Sequence, residues 1–185
     1  MKKIISILFI LITSLFLLGW TEAYTMQETS QPTTKPVKVT KLGLFDENVM
    51  FSAPSSWYIV IMGTAEAEEY GAKGGVFYVK IKNPGDAFWH IQFGTHVPIN
   101  ANKTYKLSFD AKADNSRDLQ VRVIIDQTWE IVEQKTFDLT NEMKKFSWEF
   151  TPKKDAHIIV FDMGKISEKS IATTIYLDNV ELEEN

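Results

Sequence analysis

The sequence predicts an all-β fold, an antiparallel two-sheet β-sandwich of the jelly-roll type with about nine strands. Apolar and polar residues alternate with a period of two along much of the chain, which is the pattern of strands buried on one side. Turn sequences such as Gly74-Gly75 and Asn83-Pro84-Gly85-Asp86 separate the alternating segments. No segment sustains the apolar stripe of an amphipathic helix, so crossover helices are not expected.

The first element along the chain is an export signal. Lys2 and Lys3 precede an apolar run over residues 4–18, and a basic start followed by such a run is typical of a secretory signal peptide. The small-residue pattern Thr21-Glu22-Ala23 predicts cleavage after residue 23. We therefore expect a protein that is secreted to the extracellular space or the cell surface, with no membrane contact after cleavage. An uncleaved N-terminal anchor is the alternative, although a bilayer span prefers roughly 20 residues.

Composition divides the rest of the chain into a spacer and one domain. Residues 24–41 are rich in Thr, Pro and Lys and poor in large apolar residues, which predicts an extended spacer. Residues 42–185 are enough for a single domain with its own core. The chain has no Cys, so disulfides contribute nothing to its stability. Its formal net charge of −4 argues against a nucleic-acid partner, which requires a basic surface.

Three strands show the clearest alternation. Residues 104–113 and 119–126 each place every second side chain on an apolar side, and residues 144–151 do the same with three aromatic residues. Trp148 lies in the middle of that aromatic set, which is the spacing of a core residue rather than of a binding residue. Further strands are predicted at residues 57–62, 76–82, 88–93, 131–138, 156–163 and 172–183, while residues 64–70 are expected to form at most a turn or two of helix.

The order of these segments resembles the carbohydrate-binding modules of families 4, 9, 16 and 22. The resemblance covers residue 42 to the C-terminus, and its most specific parts are Trp89-His90-Ile91-Gln92, the strand Tyr105 to Ala113, and Leu177-Asp178-Asn179-Val180-Glu181-Leu182. It implies a jelly-roll sandwich that binds polysaccharide of the β-glucan, xylan or mannan type. It also implies a structural calcium ion, held by Asp46 and Asp178 where the first and last strands meet. The alternative is that Asp178 only makes a turn hydrogen bond. The resemblance makes a separately encoded glycoside hydrolase a candidate partner, besides the polysaccharide itself.

Sugar binding makes chemical demands that select candidate residues. A sugar ring has an apolar face of C–H groups and a rim of hydroxyls, so a site needs exposed aromatic rings together with amide or charged groups. Trp129 is the first candidate, because it follows Asp126-Gln127-Thr128 at the end of a strand, where a loop presents its ring to solvent. Packing of this ring on neighbouring loop atoms is the alternative. Gln127 is included as the adjacent amide.

Alternation selects the remaining candidates. Along residues 89–93 it predicts Trp89 in the core and His90 and Gln92 on the outer face, where the Gln92 amide can donate to and accept from hydroxyls. Arg122 projects to the outer side of its strand and can stack on a ring or donate to hydroxyls. Tyr78 is a weaker candidate. For Trp57 the resemblance allows two roles, a ligand platform or a packing residue. The predicted carbohydrate-binding set is Trp129, Gln92, Arg122, Gln127, Trp57, His90 and Tyr78.

Catalysis is not predicted. The acidic residues are scattered at turns and strand edges, and His90, His96 and His157 do not have the spacing of metal ligands. The alternative to polysaccharide binding is a stand-alone surface or matrix adhesion domain that binds a protein partner, since a sandwich fold alone does not determine function. A cleft with exposed rings favours glycan, whereas a flat apolar patch favours a protein partner.

Overall fold

The computed structural model of the chain describes residues 38–43 and 57–185. In these residues, eleven strands form two antiparallel sheets, and the only helix is a 3₁₀ turn at Phe88–His90. This confirms the predicted all-β sandwich. None of the described residues forms an apolar helix of membrane-spanning length. The predicted signal peptide, most of the predicted spacer and Asp46 lie outside the described residues.

The two sheets contain six and five strands. In the six-stranded sheet the order is β3-β4-β11-β6-β9, and β1 pairs with the end of β11. In the five-stranded sheet the order is β2-β5-β10-β7-β8. The strands are β1 Lys38–Gly43, β2 Tyr58–Ile61, β3 Glu66–Lys73, β4 Val76–Asn83, β5 Ile91–Ile99, β6 Tyr105–Ala113, β7 Arg117–Ile124, β8 Ile131–Leu139, β9 Lys144–Phe150, β10 Ala156–Asp162 and β11 Thr174–Glu184.

The apolar faces of the two sheets meet in one core. Phe77 of β4 and Phe93 of β5 stack between the sheets with their ring centroids 3.6 Å apart. Phe109 of β6 meets Phe161 of β10 edge to face at 5.1 Å. Trp148 of β9 is 8% exposed and belongs to the same core cluster, which confirms its assignment from spacing.

The segment that was expected to form helical turns is a strand. Residues 64–70 contain Ala and Glu, which favour helices in isolation, but β3 begins at residue 66 and pairs with β4 along its length. Ion pairs between the two strands join Glu66 to Lys82 at 2.7 Å and Glu68 to Lys80. Because cross-strand pairs of opposite charge stabilise a sheet edge, tertiary pairing outweighs the local helix preference here.

Strand β1 corrects the start of the domain. It begins at Lys38, inside the segment that composition assigns to the spacer, and pairs antiparallel with the end of β11. A strand that pairs through its backbone needs no large apolar residues, so composition alone does not reveal it. The domain therefore includes residues 38–41 as well as the predicted residues from 42 onward.

A buried arginine fixes the connection between β10 and β11. The Arg117 guanidinium is 1% exposed and donates hydrogen bonds to the carbonyl oxygens of Met163 at 2.7 Å, Gly164 at 3.0 Å and Ile171 at 3.0 Å. Burial lowers the pKa of Arg117 to about 10, so it remains charged at neutral pH. The connection is thus anchored to the start of β7 by a buried cation that donates to three of its carbonyl groups.

We expect Trp148→Ala to lower the free energy of unfolding by about 3 to 5 kcal/mol, because removal of a buried ring leaves a cavity in the core. Urea denaturation measures this loss. Trp129→Ala is the matched control: Trp129 is 52% exposed, so its truncation should change stability by less than about 1 kcal/mol. Equal losses in the two variants would contradict the assignment of Trp148 to the core.

Candidate functional site

A cleft on the outer face of the five-stranded sheet brings together the main predicted residues. It has a volume of about 460 Å³ and is lined by Met62, Trp89, Gln92, Arg122 and Trp129. We call it the sheet cleft. Gln92 and Arg122 come from β5 and β7, the two neighbours of β10. Trp89 precedes β5 and Trp129 follows β7, so the two rings are supplied by connections outside the strands.

A buried ion pair forms the floor of the sheet cleft. Arg122 holds Asp162 of β10 in a two-point contact, with Nε 2.5 Å from Oδ2 and Nη2 2.7 Å from Oδ1. Burial raises the pKa of Asp162 to about 6, while hydrogen bonds from Arg122 and Gln92 act in the opposite direction. The carboxylate is therefore charged at neutral pH and orients both side chains, because a bidentate pair restricts the guanidinium to one geometry.

The 3₁₀ turn contradicts the predicted positions of Trp89 and His90. Trp89 was expected in the core but is 41% exposed and lines the cleft, whereas His90 was expected on the outer face but is buried. The reason is that strand β5 begins only at Ile91. Alternation counted back from the strand fails in the turn, because helical and extended backbones orient successive side chains differently.

His90 supports the loops beside the cleft. The loops that contain Gly63 and Gly85 both pass close to the His90 imidazole. A Cβ atom added to Gly63 would lie 2.4 Å from the ring, and one added to Gly85 would lie 2.5 Å from it, so only glycine allows this approach. Its Nδ1 atom is 2.9 Å from Oδ1 of Asp86. His90 therefore acts in packing rather than as a predicted contact to a ligand.

The turn that carries Trp89 is held from two sides. Gly164 donates its backbone N–H to the carbonyl of Phe88 at 3.2 Å. A Cβ atom at Gly164 would lie 2.3 Å from the Ala87 carbonyl oxygen, so this approach requires glycine. On the other side, the Arg122 guanidinium lies 5.0 Å from the centroid of the Phe88 ring, which is a cation–π distance.

Trp129 occupies an unusual backbone conformation. Its φ of 58° is in the left-handed region, and its N–H donates to the Ile125 carbonyl at 3.0 Å in a tight turn. A left-handed conformation costs a bulky residue energy that glycine avoids. Gln127 in the same turn also has a positive φ, 67°, and is exposed, but it is not one of the residues that line the cleft.

Two other predicted residues lie elsewhere. Trp57 is buried and stacks on Phe93 at 4.6 Å, so it is a packing residue because core burial leaves no ring face for a ligand. Tyr78 lies on β4 in the six-stranded sheet and lines a different groove.

Met62 and Trp89 also line the cleft, but the sequence analysis did not select them as binding residues. The bulky pair Phe88-Trp89 after a Pro-Gly turn was a usable signal of broken alternation, whereas nothing in the sequence distinguishes Met62.

The expected calcium ligand Asp178 lies beside a second carboxylate. Asp178 and Asp110 are register partners on β11 and β6. Asn179 donates its backbone N–H to Asp178 Oδ1 and its side-chain amide to Asp110 Oδ2, each at 2.7 Å. Among the described residues, no group of three or more His, Cys, Asp or Glu residues is placed to hold a metal ion. Because Asp46 lies outside this part of the chain, the calcium site stays a prediction.

Comparisons with known proteins agree with this architecture. Residues 52–164 match the CBM_4_9 family model, described as a carbohydrate binding domain. A solved structure described as a CBM4 is 31% identical, with 77% of this chain and 97% of that chain covered and a TM-score of 0.68. No curated protein sequence matches the chain.

Two more distant structures share the fold. One, described as BiXyn10A CBM1 in the apo form, is 17% identical over 80% of this chain and 97% of that chain, with a TM-score of 0.59. The other is a variant of the family 29 carbohydrate-binding module CBM29-2 complexed with cellulohexaose. It is 11% identical over 80% of this chain and 91% of that chain, with a TM-score of 0.55. At these identities the likeness concerns the fold alone.

The ion pair in the cleft floor generates a prediction. We expect Asp162→Asn to lower the free energy of unfolding by about 3 to 5 kcal/mol, because Arg122 is then buried without its counter-charge. The double variant Arg122→Met/Asp162→Leu should lose less than the sum of its two single variants, since it leaves no unpaired charge. Urea denaturation of the parent, Asp162→Asn, the double variant and its single variants Arg122→Met and Asp162→Leu measures these losses. Additive losses in the double variant would contradict the coupling.

Proposed function

The chain is a non-catalytic member of the carbohydrate-binding domain family, and we propose that its sheet cleft binds a polysaccharide chain of the β-glucan, xylan or mannan type. The observation that carries this proposal is the arrangement of two exposed tryptophan rings, Trp89 and Trp129, around a floor of Gln92 and Arg122. Exposed rings together with fixed polar groups are the combination that a sugar chain requires.

Each lining residue has a defined chemical role in this proposal. The indole rings stack on the apolar C–H faces of sugar units, which removes those faces from water. Asp162 accepts hydrogen bonds from Nε and from one N–H of Nη2 of Arg122, which leaves the two Nη1 donors and the second Nη2 donor to serve sugar hydroxyls. The Gln92 amide donates to Asp162, and its carbonyl oxygen serves as the acceptor for a hydroxyl. The pre-formed floor reduces the ordering cost of binding.

The dimensions of the sheet cleft suit a short stretch of a chain. Its volume of about 460 Å³ falls within the range of roughly 300 to 1,000 Å³ that is typical of ligand sites. The exposed rings also favour glycan over the adhesion alternative, for which a flat apolar patch is expected.

We further propose that the protein acts outside the cell beside a separately encoded glycoside hydrolase. The support for export is Lys2 and Lys3 followed by the apolar run over residues 4–18.

We also propose a structural calcium ion that Asp46 and Asp178 bind together. Calcium takes six to eight oxygen ligands, and the support within the described residues is the carboxylate of Asp178 beside that of Asp110. Such an ion stabilises the folded domain because it binds the native state and not the unfolded chain.

We expect Trp129→Ala and Trp89→Ala each to weaken polysaccharide binding by about 1 to 3 kcal/mol, because each removes a stacking ring. Affinity electrophoresis in gels that contain soluble β-glucan, xylan or mannan measures the effect. Gln92→Ala should weaken binding less where water replaces the amide. Tyr70→Ala is the matched control, since Tyr70 is a 46% exposed aromatic residue that does not line the cleft.

The same gels test the adhesion alternative. Full retardation of Trp129→Ala on every polysaccharide that retards the parent protein would show that the sheet cleft is not the binding site. No retardation of the parent by any of these polysaccharides would favour a protein partner. Thermal melting of each variant verifies that its fold is intact.

Calcium binding predicts a change in thermal stability. Millimolar calcium should raise the melting temperature above its value in excess chelator by roughly 5 °C or more, if calcium reaches about 100 times its dissociation constant. Asp178→Asn should reduce this shift, because it removes a charged ligand. Equal melting temperatures with calcium and with chelator would overturn the proposal.

A further inference from the structure

A second groove lies on the outer face of the six-stranded sheet. It has a volume of about 470 Å³, close to that of the sheet cleft. None of its lining residues belongs to the sheet cleft, so it is a separate surface. The lining residues are Glu69, Lys73, Val76, Tyr78, Lys112, Met143 and Tyr176.

Strand register aligns the central residues of this groove. Gly71, Tyr78, Tyr176 and Lys112 are successive cross-strand partners on β3, β4, β11 and β6. We call these four residues the tyrosine row. Because directly paired residues of antiparallel strands share a face and neighbouring strands lie about 4.8 Å apart, the two tyrosines stand side by side.

Contacts at both ends fix the two rings. A Cβ atom added to Gly71 would lie 3.5 Å from the Tyr78 hydroxyl, so the Tyr78 side chain extends over the glycine. The same hydroxyl donates to Glu69 Oε1 at 2.6 Å. At the other end, Lys112 Nζ lies 4.6 Å from the centroid of the Tyr176 ring. The row thus combines two oriented aromatic rings with a carboxylate and an ammonium group.

The surroundings of the tyrosine row discriminate between classes of ligand. The same sheet face carries the ion pairs Glu66–Lys82 and Glu68–Lys80. Cores of protein interfaces are depleted of Lys and Glu, so this face is poorly suited to a protein partner. Its glutamates and lysines nearly balance, so this face lacks the strongly basic character that a phosphate backbone requires. A neutral polyhydroxylated chain fits best, because its hydroxyls pair with both signs of charge while its C–H faces cover the rings.

We propose that the tyrosine row is a second carbohydrate-binding surface, which holds a polysaccharide chain that crosses the strands and stacks on Tyr78 and Tyr176. The proposal shares its ligand class with the proposed function but none of its residues. Since the two surfaces lie on opposite outer faces of the sandwich, the domain can hold two chains at once.

Nuclear magnetic resonance on the isotope-labelled full domain tests this with soluble cellohexaose, xylohexaose and mannohexaose as separate probes. We expect at least one probe to shift two groups of backbone amides: those around Gln92 and Arg122, and those around Tyr78 and Tyr176. The variant Tyr78→Ser/Tyr176→Ser should raise the dissociation constant of the second group by roughly fivefold or more and leave the first unchanged. Trp129→Ala should raise the dissociation constant of the first group and leave that of the second group unchanged.

A control variant and the pattern of shifts distinguish the second surface from the sheet cleft and from self-association. Lys82→Ser changes an exposed residue of β4 that does not line the groove, and it should leave both dissociation constants unchanged. Shifts around Gln92 alone would overturn the second surface while supporting the sheet cleft. Shifts around Tyr78 alone would support the second surface and overturn the cleft. Shifts around Tyr78 that depend on protein concentration without sugar would overturn the proposal in favour of self-association. The parent spectra suffice for these outcomes even if a variant fails to fold.

Discussion

Each strand of the sandwich contributes side chains both to the core and to an outer face, because successive side chains point to opposite sides of a sheet. Strand β5 sends Phe93 into the core and Gln92 outward, and β4 sends Phe77 into the core and Tyr78 outward. The stacked rings of Phe77 and Phe93 join these two strands across the sandwich. Core packing therefore determines the position of the outward residues on both faces, because the interior is too densely packed to let either strand shift freely.

Period-two alternation explains why so much of the fold was accessible from the sequence. It identified the sandwich, and it placed Gln92 and Arg122 on an outer face, because both lie within regular strands. It failed where the backbone leaves the extended conformation, as in the 3₁₀ turn that exposes Trp89. It also missed β3, whose Glu-rich sequence forms a strand by pairing its backbone with β4, with two lysines of β4 opposite its glutamates.

The remaining features of the cleft depend on contacts between distant parts of the chain. Arg117 anchors the carbonyls of Met163 and Gly164, and Gly164 in turn donates to the carbonyl of Phe88. Arg122 finds its counter-ion on another strand, at Asp162. Each residue alone is compatible with an ordinary exposed position, so a local pattern contains no information about its partner. Only the assembled sandwich shows that these groups form one connected support for the turn that carries Trp89.

At Trp129, fold stability and ligand contact have opposite requirements. The left-handed backbone favours glycine, whereas the proposed ligand contact needs the exposed ring. Glycine would relieve the strain, which is about 1 to 2 kcal/mol for a residue with a side chain, but it would also remove the exposed ring. Directed evolution of this domain for heat resistance alone should therefore enrich glycine or asparagine at this position, with loss of the tryptophan as a side effect. A screen that selects first for retention on polysaccharide and only then for heat resistance would keep the ring and direct the stabilising changes elsewhere.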